Sequence, residues 1–130
     1  MRKHTFERTT DEDLIILTAW ANDYEIKIAI DTAATHSVID FNILLILGYS
    51  TQDATGSILV ETSNGIMPVQ KYRLNKFSAL DKELFNFELI SYDFLEKGIL
   101  SPYDGVLGLD FFEQTILTID FIHQSVWITQ

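Results

Sequence analysis

From Tyr24 the chain alternates strictly between apolar and polar positions. Tyr24, Ile26, Ile28 and Ile30 fall on one face, and Glu25, Lys27, Ala29 and Asp31 on the other. A period of two predicts a half-buried strand. Residues 14–19 read as the strand before it, with Ala21-Asn22-Asp23 as the turn, so the two form a hairpin. Residues 57–61 and 67–74 flank Ser63-Asn64-Gly65. Asn-Gly between strand-like arms is a strong short-range hairpin signal. Phe85, Phe87 and Leu89 alternate with Asn86 and Glu88 as a further strand, and residues 105–108 form a buried apolar run. Residues 115–121 and 126–128 predict a last hairpin around His123-Gln124. Helix signals are few. Asp40 is placed to cap a helix over residues 41–47 with Gly48 as its stop, and Asp110 to cap one helical turn over residues 111–114. Many short strands with at most two short helices predict an all-β domain, a small closed or nearly closed barrel.

A chain of 130 residues fits one domain. We find no repeat, no low-complexity tract and no linker. Residues 1–13, polar and charged, read as a flexible N-terminal arm, and residues 14–130 as the folded domain. The longest aliphatic run, residues 43–47, is far short of the ~20 residues needed to span a bilayer, so no membrane partner is expected. Met1-Arg2-Lys3 precede the apolar Leu14-Ile15-Ile16-Leu17, but Asp11, Glu12 and Asp13 stand directly before that run. A short run behind three acids reads as a first core strand rather than a secretory leader, so a cytoplasmic rather than a secreted or periplasmic protein is expected. The chain has no cysteine, which removes disulfides, thiol catalysis and Cys-bound zinc. Its net charge of −10 would repel a phosphate backbone, which argues against nucleic acid as a partner.

The most informative stretch is residues 28–37, Ile-Ala-Ile-Asp-Thr-Ala-Ala-Thr-His-Ser. Alternating apolar residues deliver a lone Asp31 to a strand end, and a turn of small residues follows at once. A carboxylate there carries a desolvation cost unless neighbouring groups hold it. Alone, this reads as an ordinary Asp-capped turn. Two further pieces follow in order: the hairpin tip Thr62-Ser63-Asn64-Gly65-Ile66, and the apolar Val106-Leu107-Gly108-Leu109-Asp110. Other chemistries lack support. His4, His36 and His123 have no metal-ligand spacing, and His36 reads as a solvated loop residue. There is neither a Gly-x-Ser-x-Gly elbow nor a Gly-Lys-Ser/Thr phosphate loop, and no metal or cofactor is expected.

The order and spacing of these three pieces resemble the retroviral-type (retropepsin-like) aspartic proteases, over roughly residues 14–130. The run Val-Leu-Gly-Leu-Asp-Phe-Phe, followed by Thr-Ile-Asp-Phe, is most similar to cellular and bacterial members. The resemblance implies the small closed barrel of that family, a homodimer, and an endopeptidase acting on extended peptide or protein segments. Because the chain holds a single Asp-Thr turn, it implies an active site built from Asp31 of each of two subunits. Thr32 would bond across the dimer, with Ala33 and Ala34 completing the turn. Thr62, Ser63, Asn64, Gly65 and Ile66 would form a flap. Ile30, Val106 and Leu107 would wall a substrate pocket, and Gly108 would allow a close strand crossing. One position departs from the family pattern. Its turn is Asp-Thr-Gly, and Ala33 stands where glycine is expected. That departure keeps an alternative open, a catalytically inactive dimeric peptide-binding module on the same fold.

Overall fold

The computed structural model describes residues 2–63 and 65–130. Its chain order is β1 (His4–Thr5), β2 (Ile16–Ala21), β3 (Tyr24–Ile30), β4 (Val38–Asp40), α1 (Phe41–Ile46), β5 (Gly56–Thr62), β6 (Gly65–Ala79), β7 (Lys82–Tyr92), β8 (Gly105–Leu107), α2 (Leu109–Phe112), β9 (Ile116–Asp120) and β10 (Ser125–Thr129). The main sheet runs β2-β3-β8-β4-β7-β6, and a further β2–β6 pairing closes it into a six-stranded barrel. β5 lies outside this ring, on β6. A smaller sheet, β1-β10-β9, joins the two ends of the chain. No helix among the described residues is long and apolar enough to cross a membrane.

Local chemistry explains the hairpins. β2 and β3 pair from Ile16↔Ala29 to Ala21↔Tyr24. Asn22 and Asp23 join them with φ of 48° and 67°. Two left-handed residues match the twist of the flanking strands, and Asn and Asp tolerate that conformation well. β5 and β6 pair down to Thr62↔Gly65, and Gly65 has φ of 112°, a conformation that favours glycine. The Asp40 carboxylate accepts the Asn42 N–H at 3.2 Å and starts α1, and Gly48, at φ of 94°, follows the helix.

The barrel interior holds Ile26, Ile28, Tyr72, Leu74, Phe77, Leu107 and Phe111, all buried. Burying each large apolar side chain contributes roughly 1.5–3 kcal/mol. Phe77 and Phe111 meet edge-on with centroids 5.8 Å apart. A second cluster of Val38, Val69, Ile90 and Phe94 lies at the other side of β4, with Val106 packed against it.

Two expectations need correction. The short helix near Asp110 spans Leu109–Phe112 rather than residues 111–114, and Gly108 is its N-cap. Asp110 cannot cap it because its carboxylate is engaged by Ser37. Residues 1–13, expected to be a loose arm, are tied down at several points. His4 and Thr5 pair with Val126 and Ser125, and Phe6 is buried. The Asp13 carboxylate accepts N–H and O–H bonds from both Thr9 and Thr10, which lower its pKa to about 2. The partner of this segment lies more than a hundred residues away, where local polarity gives no sign of it.

Candidate active site

β3 carries Asp31 to the rim of the barrel. The Asp31 N–H donates to the Leu107 carbonyl at 2.9 Å, extending the parallel β3–β8 ladder by one step. The turn then folds back on itself. Ala34 N–H donates to the Asp31 carbonyl at 3.1 Å, and Ala33 N–H donates to Asp31 Oδ1 at 3.0 Å. The carboxylate is half-buried, while Thr32 and Ala33 are exposed on the single chain. Ala33 is not among the residues with positive φ, so its methyl group sits on ordinary backbone and the turn does not require glycine there.

Gly108 lies against the far side of this turn. A Cβ there would come within 2.6 Å of the His36 carbonyl carbon and 2.7 Å of the Ala34 carbonyl oxygen. Leu109 N–H donates to that Ala34 oxygen at 2.8 Å. Two segments far apart in sequence are thus packed backbone to backbone, which is possible because residue 108 has no side chain.

A cleft of about 520 Å³ opens beside the turn. Ala33, Ala34, Thr35 and His36 form one wall, and Leu59, Val60, Glu61, Thr62 and Met67 of the β5–β6 hairpin form the opposite one. Val38, Ile90 and Tyr92 close the base. Burial pushes the Tyr92 phenol above its ordinary pKa, and Tyr103 and the Asp31 carboxylate add to the shift. The cleft therefore combines an apolar floor with an imidazole, a carboxylate and backbone groups at its edges, a form suited to an extended peptide. A larger concavity, about 830 Å³, lies between the N-terminal segment and the β6–β7 turn. Arg2 and His4 in it both pair with Asp81, and Glu83 pairs with Lys76.

The sequence-derived candidates divide by position. The Ala33-Ala34 pair and Thr62 line the cleft, and Asp31 reaches its edge through the Ala33 N–H rather than lining it. Thr62 Oγ donates to the Gly65 carbonyl at 2.8 Å and fastens the hairpin end. Asn64, assigned to the flap tip, falls outside the described residues; Ser63 occupies the turn, and Ile66 is 73% exposed. The pocket-wall expectation changes. Leu107 is fully buried and contributes its carbonyl to Asp31 rather than a side chain to the cleft. Ile30 packs against the main core, and Val106 braces Val38 and Ile90 from below. The walls that sequence reasoning missed, Leu59, Met67, Ile90 and Tyr92, come from strands whose approach to residue 31 depends on barrel closure. His36, read as a solvated loop residue, borders the cleft and keeps its Nδ1 within 3.0 Å of Thr35 Oγ.

Comparison with known proteins bears on this geometry. A family model described as aspartyl protease matches residues 17–111. A retropepsin-like aspartic protease from Rickettsia conorii superimposes with a TM-score of 0.72 at 19% identity, covering 98% of this chain and 90% of that one. The EIAV protease complexed with the inhibitor HBY-793 gives 0.60 at 16% identity, over 82% and 92%. The retroviral protease-like domain of Ddi1 from Leishmania major gives 0.58 at 12% identity, over 95% and 96%. No match was found among curated proteins. The chain belongs to the aspartyl protease family and has the retropepsin-like fold.

Proposed function

We propose that this chain is an aspartic endopeptidase whose active site forms when two copies bring their Asp31 carboxyl groups together. The observation that carries the reading is the single Asp-Thr turn, set at the rim of a cleft with Thr32 and Ala33 uncovered. One chain has one such acid, and a symmetric pair supplies the second. Two carboxylates in close contact cannot both ionise readily, so the pair shares a proton. The ionised member takes a proton from water as the water oxygen adds to the scissile carbonyl carbon. The protonated member gives its proton to the carbonyl oxygen. Collapse of the resulting diol breaks the C–N bond: the leaving nitrogen takes a proton from the carboxyl that gained one, and a diol hydroxyl returns a proton to the other carboxylate as the new carbonyl forms, which restores the shared proton. Ala33 N–H holds one Asp31 oxygen in place, and the β5–β6 hairpin covers the peptide and limits water.

Peptide-library cleavage by the purified protein, measured from about pH 3 to about pH 7, tests this against Asp31→Asn. Cleavage lost in the variant supports the reading, and equal cleavage by both proteins rejects Asp31 as the catalyst. Dilution should lower specific activity as subunits separate.

The exposed Ala33 methyl, beside the cleft, favours a second reading as a peptide-binding module. Binding of extended peptides with no cleavage at any pH, and affinity unchanged in Asp31→Asn, would support that reading instead.

A further inference from the structure

We infer that Asp110, which lies outside the cleft, is a positioning residue that fixes the Asp31 turn against the end of β8. This rests on the catalytic reading of Asp31. Asp110 Oδ1 accepts the Ser37 N–H at 2.9 Å and the Ser37 O–H at 2.7 Å, and Oδ2 lies 3.0 Å from the same N–H. Ser37 is fully buried, and its Oγ accepts the Gly108 N–H at 3.0 Å. The chain of bonds therefore runs from Asp110 through Ser37 to Gly108 and closes on itself two residues along the backbone.

This loop is joined to the turn on both sides. Leu109 N–H holds the Ala34 carbonyl at 2.8 Å, and Asp31 N–H holds the Leu107 carbonyl at 2.9 Å. Residues 31–37 and 107–110 are thus tied into one unit, and Asp110 with Ser37 supplies side-chain bonds that link its two segments. Hydrogen bonds to a carboxylate are about twice as strong as neutral ones. Asp110 itself does not border the cleft. Its loss should therefore disturb the alignment of Asp31 more than the binding of peptide. A misplacement of about 1 Å can cost ~10²-fold in rate.

The test compares kcat and KM for Asp110→Ala, Asp110→Asn, Ser37→Ala and the Asp110→Ala/Ser37→Ala double variant, with circular dichroism to establish folding. Asn22→Ala serves as a destabilised comparison, since Asn22 holds the Lys76 N–H at 3.1 Å in the distant β2–β3 turn. We expect Asp110→Ala to lose roughly 10- to 100-fold in kcat with KM within about twofold, and Ser37→Ala to do the same. Asp110→Asn keeps an acceptor oxygen and should recover most of the loss. The double variant should be no worse than the poorer single one, as for two members of one network. Asn22→Ala should lower Tm without changing kcat.

Wild-type kcat in folded Asp110→Ala overturns the inference, as does a loss matched by Asn22→Ala at equal destabilisation. Should Asp110→Ala fail to fold, wild-type kcat in both Asp110→Asn and Ser37→Ala overturns it. Absence of Asp31-dependent cleavage in the wild type rejects the catalytic reading and this inference together. Asp31-dependent cleavage with unimpaired Asp110 variants rejects this inference alone.

Discussion

Gly105 and Val38 lie so close that a Cβ on the glycine would overlap the Val38 carbonyl oxygen. The same crowding recurs three residues later at Gly108, beside the Asp31 turn. Gly108 has φ of −97°, so the constraint there is space and not backbone conformation. Gly108→Ala should therefore destabilise the fold by about 1–3 kcal/mol, the usual range for an overpacked site. Urea unfolding followed by circular dichroism measures this, and an unchanged midpoint would mean that the two segments separate easily.

Ala33 presents the opposite case. Its φ is not positive, and nothing in the turn's backbone calls for glycine. Ala33→Gly should retain the fold and lower stability by roughly 0.4–1 kcal/mol, through the greater freedom of the unfolded chain. If peptide cleavage is present in the wild type, it should persist in this variant. A large gain in cleavage on adding glycine would identify the methyl group as an obstruction to substrate.

Phe111 packs against Phe77, Phe87 and Phe112, with ring centroids 5.8, 6.4 and 5.3 Å away. It is completely buried and is the point where α2 plugs the barrel. Phe111→Ala should cost about 3–5 kcal/mol, and Phe111→Leu clearly less. Thermal unfolding of the two variants checks the order.

Asp13 supplies a pH dependence. Its pKa falls from the ordinary carboxylate range to about 2 because Thr9 and Thr10 donate to the ionised carboxylate. A depressed carboxylate pKa stabilises the folded state at pH values above the unfolded pKa. That contribution shrinks below about pH 4 and is gone below about pH 2. Amide exchange at Thr9 and Thr10 should rise over that interval, and Asp13→Asn should flatten the change. NMR titration of the Asp13 carboxyl group measures the midpoint directly.

The parts of the fold legible in the sequence are those governed by neighbours along the chain. Strict alternation from Tyr24 to Ile30 marked β3, and Asp40 and Gly48 bracketed α1. Long-range decisions were not legible. Leu80 and Asp81 take φ of 53° and 63° in the β6–β7 turn, a use of leucine that no turn signal announces. The alternation sets Phe85 on one face with Phe87 and Leu89, yet it is 66% exposed while Leu89 is buried. Asn86 between them is left-handed, at φ of 55°, and interrupts the alternation. At the candidate site, the acid and its turn could be read from residues 28–37. The role of Asp110 could not, because its partner Ser37 lies 73 residues earlier and meets it only after β3, β4 and β8 assemble.

The placement of β5 has a mechanical consequence. Residues 65–69 of β6 pair with β5 alone, whereas the stretch from Gln70 onward is also bound to β7. Lifting the outer arm about a pivot near Gln70 would rupture none of the ladders that circle the barrel. The ladders of the frame and of the outer arm are thus separate, and what ties the two together is side-chain packing, chiefly Val69 on Val38, Ile90 and Phe94.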